Sequence, residues 1–105
     1  MKILFVGFAS HIHTARWLLQ LKDTGFESYL FPSEGVVVNT HPEIKSNNTV
    51  TILDVVEPDM QNKVKYIELV SGINYRAERL AWYIKSIKPD IIHSMEYLLV
   101  VMVIF

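Results

Sequence analysis

Met1–Trp17 reads MKILFVGFASHIHTARW, and the pattern of this stretch decides the fold. One basic residue, Lys2, precedes the apolar run Ile3–Val6; Gly7 breaks the run, and Ser10 stands before residues at helical spacing. The reading is strand, tight turn, helix N-terminus. In an open α/β sheet, strand carboxyl ends and helix N-termini meet at such a junction, and unpaired backbone N–H groups face outward toward ligands. Gly7–Arg16 is therefore the expected ligand-binding stretch. Within the helix, Ile12, Ala15, Leu18 and Leu19 fall on one stripe, the expected buried face. Ser10 is the expected N-cap, in an incomplete capping box, because His13 stands where Glu or Gln would complete it. Gly25, which accepts a left-handed conformation without a Cβ penalty, supplies the stop.

Outward from this unit, Glu27–Phe31 reads as a second strand and Pro32-Ser33-Glu34-Gly35 as the turn that ends it. Residues 32–48 carry two prolines and the polar run Lys45-Ser46-Asn47-Asn48, an irregular stretch in which Val36–Val38 is a short strand or an anchor. Thr49–Val56 is rich in β-branched residues and reads as a strand ended by Glu57-Pro58. Asp59–Val70 suits a helix through Met60, Val64 and Ile67, although Val64–Val70 alone would suit a strand. Ile73–Ile87 reads as a second clear helix, with Ile73, Ala77, Leu80, Ala81, Ile84 and Ile87 on one stripe and Arg76, Arg79, Lys85 and Lys88 off it. Pro89 forbids its continuation, and Asp90–His93 follows as a short buried strand. Alternating strands and helices imply an α/β fold with a mainly parallel sheet.

A chain of 105 residues supports one hydrophobic core, and no repeat or low-complexity linker divides it. Half the residues are hydrophobic and a fifth charged, a globular composition. The net charge of −1 gives no electrostatic argument for a nucleic-acid partner. The absence of cysteine excludes disulfides, thiolate metal sites and a cysteine nucleophile, and fits a reducing compartment. The N-terminal apolar run is interrupted at Ser10-His11 and reads as a core strand, not a leader. Leu98–Phe105, eight apolar residues, is well short of the ~20 a spanning helix needs.

Two stretches carry a family resemblance. KILFVGFASHIHTARW at the start, together with SIKPDIIHSMEY after the long helix, resembles the N-terminal domain of a GT-B glycosyltransferase of family 4, the "group 1" type. KILFVG and KPDIIH also occur in other Rossmann-like and flavodoxin-like proteins; the His-Thr-Ala-Arg-Trp string is more distinctive. The resemblance implies a Rossmann-like three-layer sandwich, the acceptor-side half of an enzyme that moves a sugar from a nucleotide-sugar donor to a saccharide or lipid-linked acceptor. It further implies that the nucleotide sugar is held by a C-terminal domain with a paired-glutamate motif, which these residues do not include. Alone, the chain is expected to be inactive, without a cofactor of its own, and cytoplasmic, peripheral to the inner face of a membrane. Retention of anomeric configuration is the family expectation. The chain departs from the family where many relatives carry a second histidine two residues after the one matched by His93; Met95 stands there. Beyond Tyr97 the resemblance stops, and Leu98–Phe105 reads as a real element or as the product of a truncation or frame shift.

The residues expected to line the cleft are Ser10, His13, Arg16, His93 and Glu96, with Gly7 in the cleft loop. His13, near a helix N-terminus, suits a hydrogen bond to an acceptor sugar; the competing reading is a solvated or capping histidine. Arg16 offers a planar fork for a phosphate on a lipid-linked acceptor, or is a surface arginine. His93, at a strand carboxyl end, is the candidate catalytic group, an imidazole able to act as base or polar contact; the competing reading is a hydrogen-bonded core histidine. Glu96 at the rim would bond a sugar hydroxyl. Trp17 is expected to pack over the sheet edge rather than to stack on a sugar. His11 and His13, two residues apart, do not share a helix face and have no carboxylate near them in sequence, so no metal site is expected. Gly7 is a lone glycine, which leaves no dinucleotide fingerprint.

Two other classes compete. A receiver-like signalling module of similar length would need acids after the first strand, where Phe8-Ala9-Ser10 stands, and an aspartate acceptor after the third. A non-catalytic binding fragment would self-associate through Leu98–Phe105, since an uncovered apolar strand invites pairing.

Overall fold

The structure is a computed structural model that describes residues 1–35, 39–63 and 72–94. Val36–Val38, Val64–Val70, Glu96 and Leu98–Phe105, each read above for structure or function, lie outside the described residues. The elements in order are β1 (Lys2–Gly7), α1 (Ile12–Gln20), β2 (Glu27–Pro32), the single turn α2 (Pro42–Lys45), β3 (Val50–Ile52), a 3-10 segment (Pro58–Lys63), α3 (Gly72–Ile87) and β4 (Ile91–Ser94). Each strand is parallel to its neighbour, in the order β3-β2-β1-β4. The chain thus runs outward from β1 through β2 to β3, then returns across α3 to place β4 on the other side of β1. That reversal makes the carboxyl ends of β1 and β4 the topological switch point, where ligands of such sheets bind.

The core follows from the period of two along β1. Leu4 and Val6 face one side, packed with Phe31, Leu53, Val55 and Val56 and with Ala77 and Leu80 of α3. Ile3 and Phe5 face the other, packed with Ala9, Leu30 and Ile44 and with Ala15 and Leu18 of α1. Helices on both faces bury both faces of the central strand, which is why Ile3–Val6 is an unbroken apolar run rather than an alternating one. The result is the expected Rossmann-like three-layer α/β sandwich. Each large side chain buried here contributes roughly 1.5–3 kcal/mol.

Several local expectations are revised. In α1 the buried residues are Thr14, Ala15 and Leu18, whereas Leu19 is 54% exposed; Leu18 and Leu19 stand about 100° apart on the helix, and only one can face the sheet. The helix ends at Gln20, with Leu21 as C-cap, so Gly25 does not stop it. Gly25 instead takes φ +84° in the following turn, together with Asp23 at φ 64°. Of Thr49–Val56, only Val50–Ile52 pairs with β2; Leu53, Val55 and Val56 are buried as anchors of a loop. Pro42–Lys45 forms a helical turn in the stretch read as irregular, capped by the His41 ring, whose Nδ1 accepts the Glu43 N–H at 3.1 Å. Pro58–Lys63 is 3-10 rather than α-helical.

α3 ends as expected before Pro89. Lys88 adopts φ 54° and donates its N–H to the Ile84 carbonyl at 3.0 Å, a left-handed C-terminal cap on a residue with a Cβ. Arg79, expected off the buried stripe, is only 8% exposed. Its guanidinium lies 4.9 Å from the Tyr83 ring centre and 5.3 Å from that of Trp82, donates to the Asp54 carbonyl at 3.2 Å and faces Glu57 at 3.6 Å. It fastens the Leu53–Glu57 loop to α3. β4 is not the buried strand expected: Ile91 is 42% and Ile92 36% exposed, because β4 ends the sheet among the described residues.

Candidate functional site

Three segments meet at the carboxyl end of the sheet: the loop Phe8–His11 after β1, the turn Ser33-Glu34 after β2, and the end of β4. Parallel pairing sets their heights, with Gly7 opposite Pro32 and Phe5 and Val6 opposite His93 and Ser94. Gly7 is the last residue of β1 rather than the turn itself; its carbonyl accepts the Ser33 N–H at 3.0 Å. The loop proper begins at Phe8.

Three backbone donors of that loop, the Ala9, Ser10 and His11 N–H groups, are taken within the fold. The Glu34 carboxylate accepts the Ala9 N–H at 2.6 Å and the Ser10 N–H at 3.3 Å, and the Ser10 hydroxyl donates to the same group. This revises the expectation of unpaired N–H groups for the loop, not for the first turn of α1, and it revises the N-cap: Ser10 is committed to Glu34, and His11 occupies the cap position with no side-chain cap bond. The His41 N–H closes the loop's other side by donating to the Ala9 carbonyl at 2.7 Å. Behind Glu34, Arg76 of α3 donates to the Ser33 carbonyl. Glu34 is the residue that sequence reasoning missed. Its only signal was an acid in the turn just beyond the strand next to β1, and its partners lie some 25 residues away.

Beside this braced loop lies an open hollow of about 390 Å³, lined by Phe8, His11, His13, Thr14 and Trp17. Its volume falls in the ~300–1,000 Å³ range of small-molecule sites. Phe8 and His11 meet edge to face with ring centres 4.9 Å apart. Trp17 is 47% exposed and leans on the His93 ring, 5.2 Å away and tilted 39°; Phe5 supports His93 from the core at 5.1 Å. His93 is half-buried.

The expected site residues therefore divide. His13 is exposed and lines the hollow. His93 adjoins it through Trp17, which packs against the end strand β4 at His93 and leaves about half of its surface open at the hollow. Ser10 stands on the loop but is held by Glu34. Arg16 is exposed and is not among the lining residues. Glu96 lies outside the described residues. Among the described residues no three His, Asp or Glu side chains are grouped to hold a metal ion, and no helix is long and apolar enough to cross a membrane.

Chemically, the hollow offers aromatic surface, two imidazoles and a hydroxyl-bearing residue. A family model described as glycosyl transferase 4-like matches residues 2–102. The match runs past Tyr97, where the resemblance was expected to stop. No curated protein and no solved structure matches the chain.

Proposed function

Because this chain belongs to the glycosyl transferase 4-like family, we propose that it is the acceptor-binding portion of an enzyme that transfers a sugar from a nucleotide-sugar donor to a saccharide or lipid-linked acceptor. The observation that carries the acceptor-side reading is the hollow at the switch point, where His13 and Trp17 line a space of about 390 Å³ beside His93. In this reading His13 hydrogen-bonds the acceptor. Ser10 shapes the loop through Glu34 and Gly7 sets its start, while Glu96 bonds an acceptor hydroxyl at the rim. Arg16, on the solvent side of α1, pairs with the phosphate of a lipid-linked acceptor.

His93 has the chemistry of a base. In this reading the imidazole beside the hollow takes the proton of the acceptor hydroxyl as that oxygen attacks the donor's anomeric carbon on the same face from which the nucleoside diphosphate leaves with the bonding pair, so that the anomeric configuration is kept. The donor is held by a second domain, so the chain alone transfers nothing. The test is to translate the DNA downstream of the Phe105 codon in every forward frame. A following half with a glutamate-x7-glutamate stretch, joined to this chain, is expected to transfer sugar, and to lose most activity with His93→Ala. Transfer by the 105-residue chain alone, or none by the joined protein, would overturn the proposal.

A further inference from the structure

We infer that Trp17 is a positioning residue, which fixes the ring of His93 for its part in the transfer; this rests on the reading of His93 as the base. His93 stands near the end of β4. On a strand a side chain has two common χ1 wells, and an imidazole turns broadly about χ2. A base serves in one of those orientations, with a nitrogen held within hydrogen-bond reach of the proton it takes. Something must therefore select the orientation.

Among the described residues the contacts of the His93 ring are aromatic. Phe5, its register partner on β1, lies 5.1 Å away with the rings at 48°, and Trp17 lies 5.2 Å away at 39°. Phe5 belongs to the core and is buried, so one of the two rings is fixed by the sheet. Trp17 reaches His93 from α1, whose position is set by the burial of Thr14, Ala15 and Leu18. The indole itself is about half exposed and adds less to the core than a fully buried ring of its size. Its flat face is what an alkyl side chain of similar bulk lacks, because aromatic pairs prefer particular tilts and are worth more than the area they bury. A platform for substrate would act on binding; a residue that orients the base acts on the chemical step.

The experiment separates the two by spectroscopy and by kinetics. In the 105-residue chain, three-bond NMR couplings from the His93 Cγ to its backbone nitrogen and carbonyl carbon report χ1. The parent and Trp17→Phe should show one rotamer. Trp17→Leu, which keeps apolar bulk without a ring, should show averaged couplings while the amides of β1 and β2 keep their parent positions. In the protein joined to its donor half, Trp17→Leu should lower kcat by up to about tenfold with KM changed less than about twofold, and Trp17→Phe should retain most of the rate. Averaged couplings in the parent, or a single rotamer kept in Trp17→Leu, would overturn the inference and leave the acceptor reading standing. The parent spectrum decides even where the leucine variant fails to fold. A raised KM at unchanged kcat would also overturn it, and would make Trp17 a platform for substrate. Full activity in His93→Ala would remove the reading of His93 as the base, and this inference with it.

Discussion

Glu34→Ala tests how the site is held. The substitution removes the carboxylate that accepts the Ala9 N–H at 2.6 Å, the Ser10 N–H at 3.3 Å and the Ser10 hydroxyl. Ser10 is exposed, so water replaces its partner at little cost. Ala9 is fully buried, and a buried N–H left without an acceptor costs about 1–3 kcal/mol. Glu34 itself is half-buried, which places the expected loss in the lower part of that range, about 1–2 kcal/mol. In a domain of this size each kcal/mol lowers the melting temperature by roughly 4–8 °C. Thermal unfolding followed by circular dichroism should show a fall of that order, and Glu34→Gln, which keeps one oxygen acceptor, about half of it. Amide hydrogen exchange separates a local effect from a global one: Ala9 and Ser10 should exchange faster while Leu4 and Phe5 of β1 keep most of their protection. A melting temperature within about 1 °C of the parent, or unchanged exchange at Ala9, would refute the assignment of Glu34 as the loop's clamp.

Other substitutions have defined outcomes. Arg79→Met keeps the apolar stem but loses the cation over Tyr83 and Trp82 and the bond to Asp54; with Glu57 half exposed, the cost should be about 1–2 kcal/mol, read as a lower urea midpoint at unchanged slope. Lys88→Gly relieves a positive φ on a residue with a Cβ and should stabilise by about 0.5–1 kcal/mol in the same assay. Burial pushes the Tyr83 phenol above its ordinary value, partly offset by Arg79, and burial and then Glu27 push Tyr29 the same way. A raised phenol favours the neutral form in the folded state, so its contribution is complete below about pH 10 and is lost as pH rises through the folded value. Stability should decline above that pH, and less steeply in Tyr83→Phe. A profile equally steep in the variant would remove Tyr83 as a cause.

Sequence periodicity exposed the elements whose burial is set by their own position. β1 is covered on both faces, so its four apolar residues Ile3–Val6 stand out, and Pro89 marks the end of α3 by geometry alone. Periodicity failed where burial comes from a partner remote in sequence. Leu53, Val55 and Val56 are apolar because α3 covers a loop, and their pattern imitates a strand. Arg79 is buried although it is a cation, because the Asp54 carbonyl, 25 residues away, receives it beside the rings of Trp82 and Tyr83 on its own helix. At the site, the junction after β1 and its histidines could be read from spacing. Glu34 could not, since a carboxylate reaching across from the end of β2 leaves no periodic trace. The neighbourhood of Trp17 and His93 likewise arises from strand order, which places the return strand beside β1.

The most direct test of the acceptor-side assignment is one NMR titration of the chain with two probes, a neutral methyl glycoside and a nucleoside diphosphate. The expected result is that the glycoside shifts His13, Thr14, Trp17 and His93, while the nucleoside diphosphate leaves them in place. If the nucleoside diphosphate moves those residues and no glycoside does, the site is a donor site, and the acceptor-side proposal is wrong.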